Sequence, residues 1–188
     1  FCFGQTELDS LEEQRITDSV EKVIKMSFEL LNKKFELRDI AREKYNDGDY
    51  YGSISDWTKI IELDPENIFA YEDYFNRGVV KSALGDNYGA ISDWTKAIEI
   101  NPEYTIAYIN LSISKSLIKD HIGAIIDICK AIELDPNNAT AYKVRGLAFM
   151  GFQGTPIKSQ KCSDFIKACD LEDKVACKYY SWIAHIFL

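Results

Sequence analysis

The side chains best suited to chemistry in this chain are five cysteines, two histidines and one acidic turn. Thiols form disulfides, bind soft metals or attack as nucleophiles, and each use needs particular neighbours. Cys129 lies beside core positions of an apolar stretch and reads as a buried thiol. Cys169 and Cys177 have seven residues between them and straddle one helical pattern and the next. Cys162 lies two helical turns before Cys169, too far along the axis to pair with it. Two sulfurs without a nearby histidine do not complete a tetrahedral metal site. His121 falls at a turn and His185 in an apolar stretch; neither neighbours a motif, and both read as structural. No glycine-rich phosphate loop, Gly-x-Ser-x-Gly elbow or His-Glu-x-x-His occurs. Asn46-Asp47-Gly48-Asp49 lacks the spaced acidic ligands of a calcium loop and reads as a turn. The residues therefore imply no catalysis, no metal and no cofactor.

Composition narrows the partners. The chain has 188 residues, 46% of them hydrophobic, and a net charge of −8. No basic cluster appears, so the concentrated lysine and arginine that phosphate backbones require is missing, and nucleic acid is excluded as the expected partner. No uninterrupted apolar run reaches the roughly 18 residues of a spanning helix. The sequence begins Phe1-Cys2-Phe3-Gly4-Gln5, which reads either as the tail of a secretory leader or as an arbitrary boundary. Asn110-Leu111-Ser112 and Asn138-Ala139-Thr140 match the glycosylation sequon, which has meaning only in a secretory pathway carrying the enzyme.

The elements that would position these groups come from a repeat. Ser55-Asp56-Trp57-Thr58-Lys59 returns as Ser92-Asp93-Trp94-Thr95-Lys96, and Ile126-Asp127-Ile128-Cys129-Lys130 is a weaker third copy. Pro65, Pro102 and Pro136 follow in register, at steps of 37 and 34 residues. Proline restricts the residue before it, so helices end at these points. Apolar periodicity near 3.6 predicts helices over 19–32, 35–46, 51–63, 71–84, 88–100, 105–118, 121–134, 140–152, 158–171 and 174–188. Residues 1–18 show no steady period and read as an arm, with Ser10 and Glu13 at capping-box spacing. The three extra residues of the 37-residue step lie between Pro65 and Tyr74, in the turn or at the helix start.

These features resemble the tetratricopeptide repeat over roughly residues 34–175. Tyr74 with Gly78 and Tyr142 with Gly146 match its large-then-glycine pair, and Tyr108 has Ser112 instead. Gly48 and Gly85 match the mid-repeat turn, where Lys119 departs. Ser53, Ala90 and Ala124 match a small position, and Trp57, Trp94 and Ile128 the bulky one four later. Ala97 and Ala131 supply the next small position, where Ile60 departs, and no proline closes the unit after Leu171. The resemblance implies an all-α fold, a right-handed α-solenoid of about four repeats over 34–175. An arm (1–18) and a helix (19–33) precede it, and an apolar helix end (176–188) follows. The Cys169–Cys177 spacing resembles cysteine-rich Sel-like relatives, in which such a pair bridges consecutive helices. A bridge would imply a secreted, periplasmic or cell-surface protein; two free thiols would imply the cytosol.

In this family the first helix of each pair lines the concave face. Carried over, that face offers Arg38, Arg42 and Tyr45, then Phe75, Asn76, Val79 and Ser82, then Ile106, Ile109, Asn110, Ile113 and Leu117. Arg38, Arg42, Asn76 and Asn110 partly match the grip that some relatives place on a peptide carboxylate, but Ile106 stands where a basic residue is wanted. The groove centre is apolar and suits a hydrophobic peptide or helix of another protein. Both ends are apolar too: Phe1 and Phe3 at the start, Trp182, Ile183, Ile186, Phe187 and Leu188 at the finish. Solenoids ordinarily close with a polar cap. Two uncapped ends predict head-to-tail self-association, in a ring or a filament. The leading expectation is thus a non-catalytic interaction scaffold that self-associates end to end; the alternative is a monomeric adaptor with a peptide in its groove.

Overall fold

A computed structural model describes residues 3–65, 67–151, 164, 166–168, 170, 171 and 173, with side chains described from residue 12. Among the described residues seven helices are traced in order: α1 (Phe3–Asn46), α2 (Tyr50–Leu63), α3 (Tyr71–Ala83), α4 (Asn87–Ile100), α5 (Thr105–Leu117), α6 (His121–Leu134) and α7 (Ala139–Gly151). Each packs on its sequence neighbour, and α5 also meets α7, which makes an α-solenoid of helical hairpins. No strand occurs among the described residues.

The first helix corrects the sequence reading. The expected arm and the two helices over 19–46 are one continuous helix of 44 residues. The reason is local: between Gly4 and Gly48 the chain has no glycine and no proline, so nothing interrupts the hydrogen-bond ladder. The insertion is also located. Seven residues, 64–70, join α2 to α3, whereas four join α4 to α5 and four join α6 to α7. The extra length lies in the connection, where Ile68 and Phe69 are exposed and Ala70 is buried.

Inside each hairpin the turn is built the same way three times. Gly48 and Gly85 take left-handed backbone (φ +83° and +81°), and Lys119 takes it at +67°. This lets the N–H of Asp49, Asp86 and Asp120 reach back to the carbonyls of Lys44, Lys81 and Lys115 at 2.8–2.9 Å. The same aspartates then cap the next helix, their carboxylates accepting from the N–H of Gly52, Gly89 and Gly123.

The core is a series of separate clusters. Among the described residues Ala41, Trp57, Ile60 and Val80 form one, Ala90, Trp94 and Leu111 the next, and Ile109, Ile128, Ala131, Ala141 and Val144 a third. Each cluster draws on one hairpin and the helix that follows it. Ile60, larger than Ala97 and Ala131 in the same position, is fully buried. Gly78 is required by closeness: a Cβ there would lie 2.7 Å from the Trp94 indole nitrogen, which donates to the Phe75 carbonyl at 3.2 Å. Where the first and third hairpins lack that glycine, a serine hydroxyl bridges the crossing. Ser53 donates to the Ala41 carbonyl (2.7 Å) and Ser112 to the Ala124 carbonyl (2.8 Å), from opposite sides of the same contact.

Candidate functional site: the concave groove

Three successive first helices bring part of the predicted groove together. Tyr45 from α1, Val79, Ser82 and Ala83 from α3, and Asn110 and Ile113 from α5 line an open cavity of about 270 Å³ with Trp94 beneath. Tyr45 is held by a tilted contact with Tyr50, ring centres 5.6 Å apart. Ile113 is 39% exposed and available to a ligand. Val79 packs against the Trp94 cluster and is half-buried.

The other predicted residues are not in this cavity, each for a visible reason. Arg38 is held in a two-pronged pair with the buried Asp73, at 2.7 and 2.9 Å. Arg42 is exposed, pairs with Asp39 at 3.2 Å and stands 5.9 Å from the Trp57 ring. Asn76 donates to the Glu72 carbonyl of its own helix (2.8 Å). Phe75 packs edge-on against Tyr104, with centroids 5.2 Å apart. Ile109 is buried in the core, which removes it from any contact surface. Ile106 and Leu117 are exposed. No basic residue lines the cavity; its lining is mixed, with Val79, Ala83, Trp94 and Ile113 beside the hydrogen-bonding groups of Tyr45, Ser82 and Asn110.

Beneath the groove lies a feature that the sequence reading did not use. The aspartate of each repeated phrase is buried and meets a lysine of the preceding helix: Lys44–Asp56, Lys81–Asp93 (2.8 Å) and Lys115–Asp127 (2.6 Å). Arg77 adds a two-pronged bond to Asp93, and Arg145 makes the corresponding one to Asp164. The signal was present: each lysine precedes its aspartate by the same interval, 44 to 56, 81 to 93 and 115 to 127. The rungs differ electrostatically. Burial pushes the Asp56 carboxyl up, but hydrogen bonds from Lys44 and Lys59 outweigh it and hold the group below the ordinary aspartate value. Burial also pushes Asp127 up; Lys115 offsets this only partly, Asp120 adds to it, and the carboxyl lies above the ordinary value.

The cysteine expectations fall mostly elsewhere. Cys2, Cys162, Cys169 and Cys177 lie outside the described residues, as do Phe1, Trp182, Ile183, Ile186, Phe187 and Leu188 and the side chain of Phe3. Cys129 is free and half-buried, not fully buried, and its sulfur accepts from the Arg145 guanidinium at 3.7 Å. Among the described residues no helix is long and apolar enough to cross a membrane, and no group of metal-ligating side chains gathers.

Residues 74–104 match the tetratricopeptide repeat family. That span runs from α3 through the whole of α4, the hairpin that carries Gly78, Gly85 and Trp94. No curated protein matches the chain in sequence. Solved structures extend the likeness to the whole fold. The crystal structure of MamA is 23% identical, with a TM-score of 0.67, over 94% of this chain and 98% of that one. A tetratricopeptide repeat protein from Parabacteroides merdae is 18% identical, with a TM-score of 0.72, over 80% of this chain and 58% of that one. The first TPR of Spaghetti (RPAP3), solved bound to the HSP90 peptide SRMEEVD, is 25% identical, with a TM-score of 0.59, over 63% of this chain and 92% of that one. Together with the repeating hairpins, these show an α-solenoid of tetratricopeptide type.

Proposed function

We propose that the chain is a non-catalytic interaction scaffold that receives an extended, apolar segment of another protein in its concave groove. The observation that carries this reading is the convergence of Tyr45, Val79, Asn110 and Ile113, from three different helices, on one cavity. The tetratricopeptide repeat bound to an HSP90 peptide supports it by likeness. The ligand chemistry here differs from an acidic tail. With Arg38 paired to Asp73, an apolar side chain suits Val79 and Ile113, and Asn110 and Ser82 are free to bond its backbone. A displayed peptide library tests this. Apolar sequences should be enriched on the native chain and lost on an Ile113→Glu variant, whose exposed side chain can change without unfolding the solenoid. An identical selection by both proteins would rule the groove out.

Two finer readings rest on the sequence. End-to-end self-association is motivated by the apolar ends at Phe1, Phe3 and 182–188, and it predicts particles that grow with concentration. A single-copy mass even at high concentration would exclude it. Residence in an oxidising compartment is motivated by the Cys169 and Cys177 spacing. A count of five free thiols in denatured, unreduced protein from its native compartment would refute the bridge.

A further inference from the structure

The aliphatic residues of the groove recur at one per hairpin. Val79, Ile113 and Leu147 follow one another at steps of 34 residues, on α3, α5 and α7, and so hold the same position in three successive first helices. Val79 is half-buried, and Ile113 and Leu147 are each 39% exposed. The cavity described above contains Val79 and Ile113. Repeat register extends the row to Leu147, which the sequence reading did not single out.

The groove also offers hydrogen-bond donors. Tyr45, Ser82 and Asn110 line the cavity, and each side chain can donate. Among the described residues no hydrogen bond occupies these three side chains, whereas the Asn76 amide is spent on the Glu72 carbonyl. No charged side chain lines the cavity. An uncharged ligand with unbonded carbonyls complements this set.

Spacing decides the conformation of that ligand. Packed helices lie roughly 10 Å apart, and this sets the step from one anchor of the row to the next. A β-strand returns to the same face about every 7 Å, out of step with the row. An α-helix spends its carbonyls on its own N–H groups and leaves the three donors unmatched. Polyproline II completes a turn in about three residues and about 9 Å, and it leaves every carbonyl unbonded. Proline fixes φ at the value this conformation needs and removes N–H groups, so carbonyls dominate the backbone. We infer that the groove takes a proline-rich segment in the polyproline II conformation, with an apolar side chain at every third residue seated on Val79, Ile113 and Leu147. This rests on the groove reading proposed above and adds the ligand's conformation and period.

Fluorescence anisotropy of the full chain with labelled synthetic peptides tests the inference. The first peptide is three repeats of Pro-Pro-Leu, the second alternates Leu with Thr at the same length, and the third is three repeats of Gly-Gly-Leu. The first should bind at least about tenfold more tightly than the third, which keeps the leucine spacing but must be ordered on binding. It should also bind more tightly than the second, whose leucines fall out of step. Leu147→Glu should weaken the first peptide by at least about fivefold, because it sets a charge against an apolar side chain. Ile113→Glu should abolish its binding. Both variants should keep the native melting temperature, since both side chains are exposed. An alternating peptide that binds as tightly as the first, and is lost in Ile113→Glu, would overturn the polyproline assignment and leave the groove reading standing. Binding of the first peptide that ignores Leu147→Glu would overturn the three-anchor row. Failure of the first peptide to bind would overturn the inference, and the displayed library then decides the groove reading separately.

Discussion

The two halves of α1 are one helix in two environments. From Lys34 to Asn46 the helix lies against α2 and contributes Ala41, Leu37 and Tyr45 to the first core cluster. From Glu12 to Glu29 the same apolar rhythm faces outward. Forming a helix and burying it are therefore separate events with separate causes. The first needs only the absence of breakers; the second needs a neighbour at the right register. Most helical stability in proteins comes from packing of one face, so the free half leans on the packed half for nucleation.

Substitutions measure that contrast. Trp94→Ala removes the centre of the second cluster and should cost about 4 kcal/mol in chemical denaturation. A loss below about 1 kcal/mol would mean that the cluster repacks freely. Asp93→Asn leaves Arg77 and Lys81, both largely buried, without their carboxylate. It should cost about 3 kcal/mol, visible as a lower urea midpoint with unchanged slope.

The rungs should also separate by pH. Asp56 has a folded pKa below its unfolded one, so it stabilises above the ordinary aspartate range and loses that contribution as pH falls. Asp127 has the opposite sign: its folded pKa is raised, so it favours the fold more as pH falls through that raised value. Asp56→Asn should therefore flatten the acid limb of stability below about pH 5, and Asp127→Asn should steepen it above about pH 4. Equal acid limbs in the two variants would contradict the assignment.

Lys119→Gly relieves a left-handed lysine, which costs about 1–2 kcal/mol, and incurs the smaller entropy cost of glycine. A gain of about 0.5–1 kcal/mol should appear as a raised melting temperature. The smallest effect belongs to the free half of α1. Val20→Ser in dilute protein should shift stability by less than about 0.5 kcal/mol, because nothing described packs on it.

Much of this fold was legible because its punctuation is local. Pro65, Pro102 and Pro136 follow the ends of α2, α4 and α6, and Gly48 and Gly85 mark left-handed turns, as their chemistry requires. The groove was legible in part. Tyr45, Val79, Asn110 and Ile113 follow from repeat register alone. Arg38 and Ile109 do not, because Asp73 and the third cluster sit on neighbouring helices, and register along one helix carries no record of what the next one presents. The continuity of α1 was hidden by an irregular run of polar residues near its start. Helix propensity without periodicity leaves little trace in a pattern built on burial.

The serial clusters carry a mechanical consequence. Among the described residues, Trp57, Trp94 and Ile128 each anchor a cluster that shares no residue with the next, so these hairpins have no common keystone. Tension applied between α1 and α7 passes through every hairpin contact in turn. The weakest junction is expected to yield first while the rest hold, so that the molecule would lengthen stepwise like a spring under a pulling force.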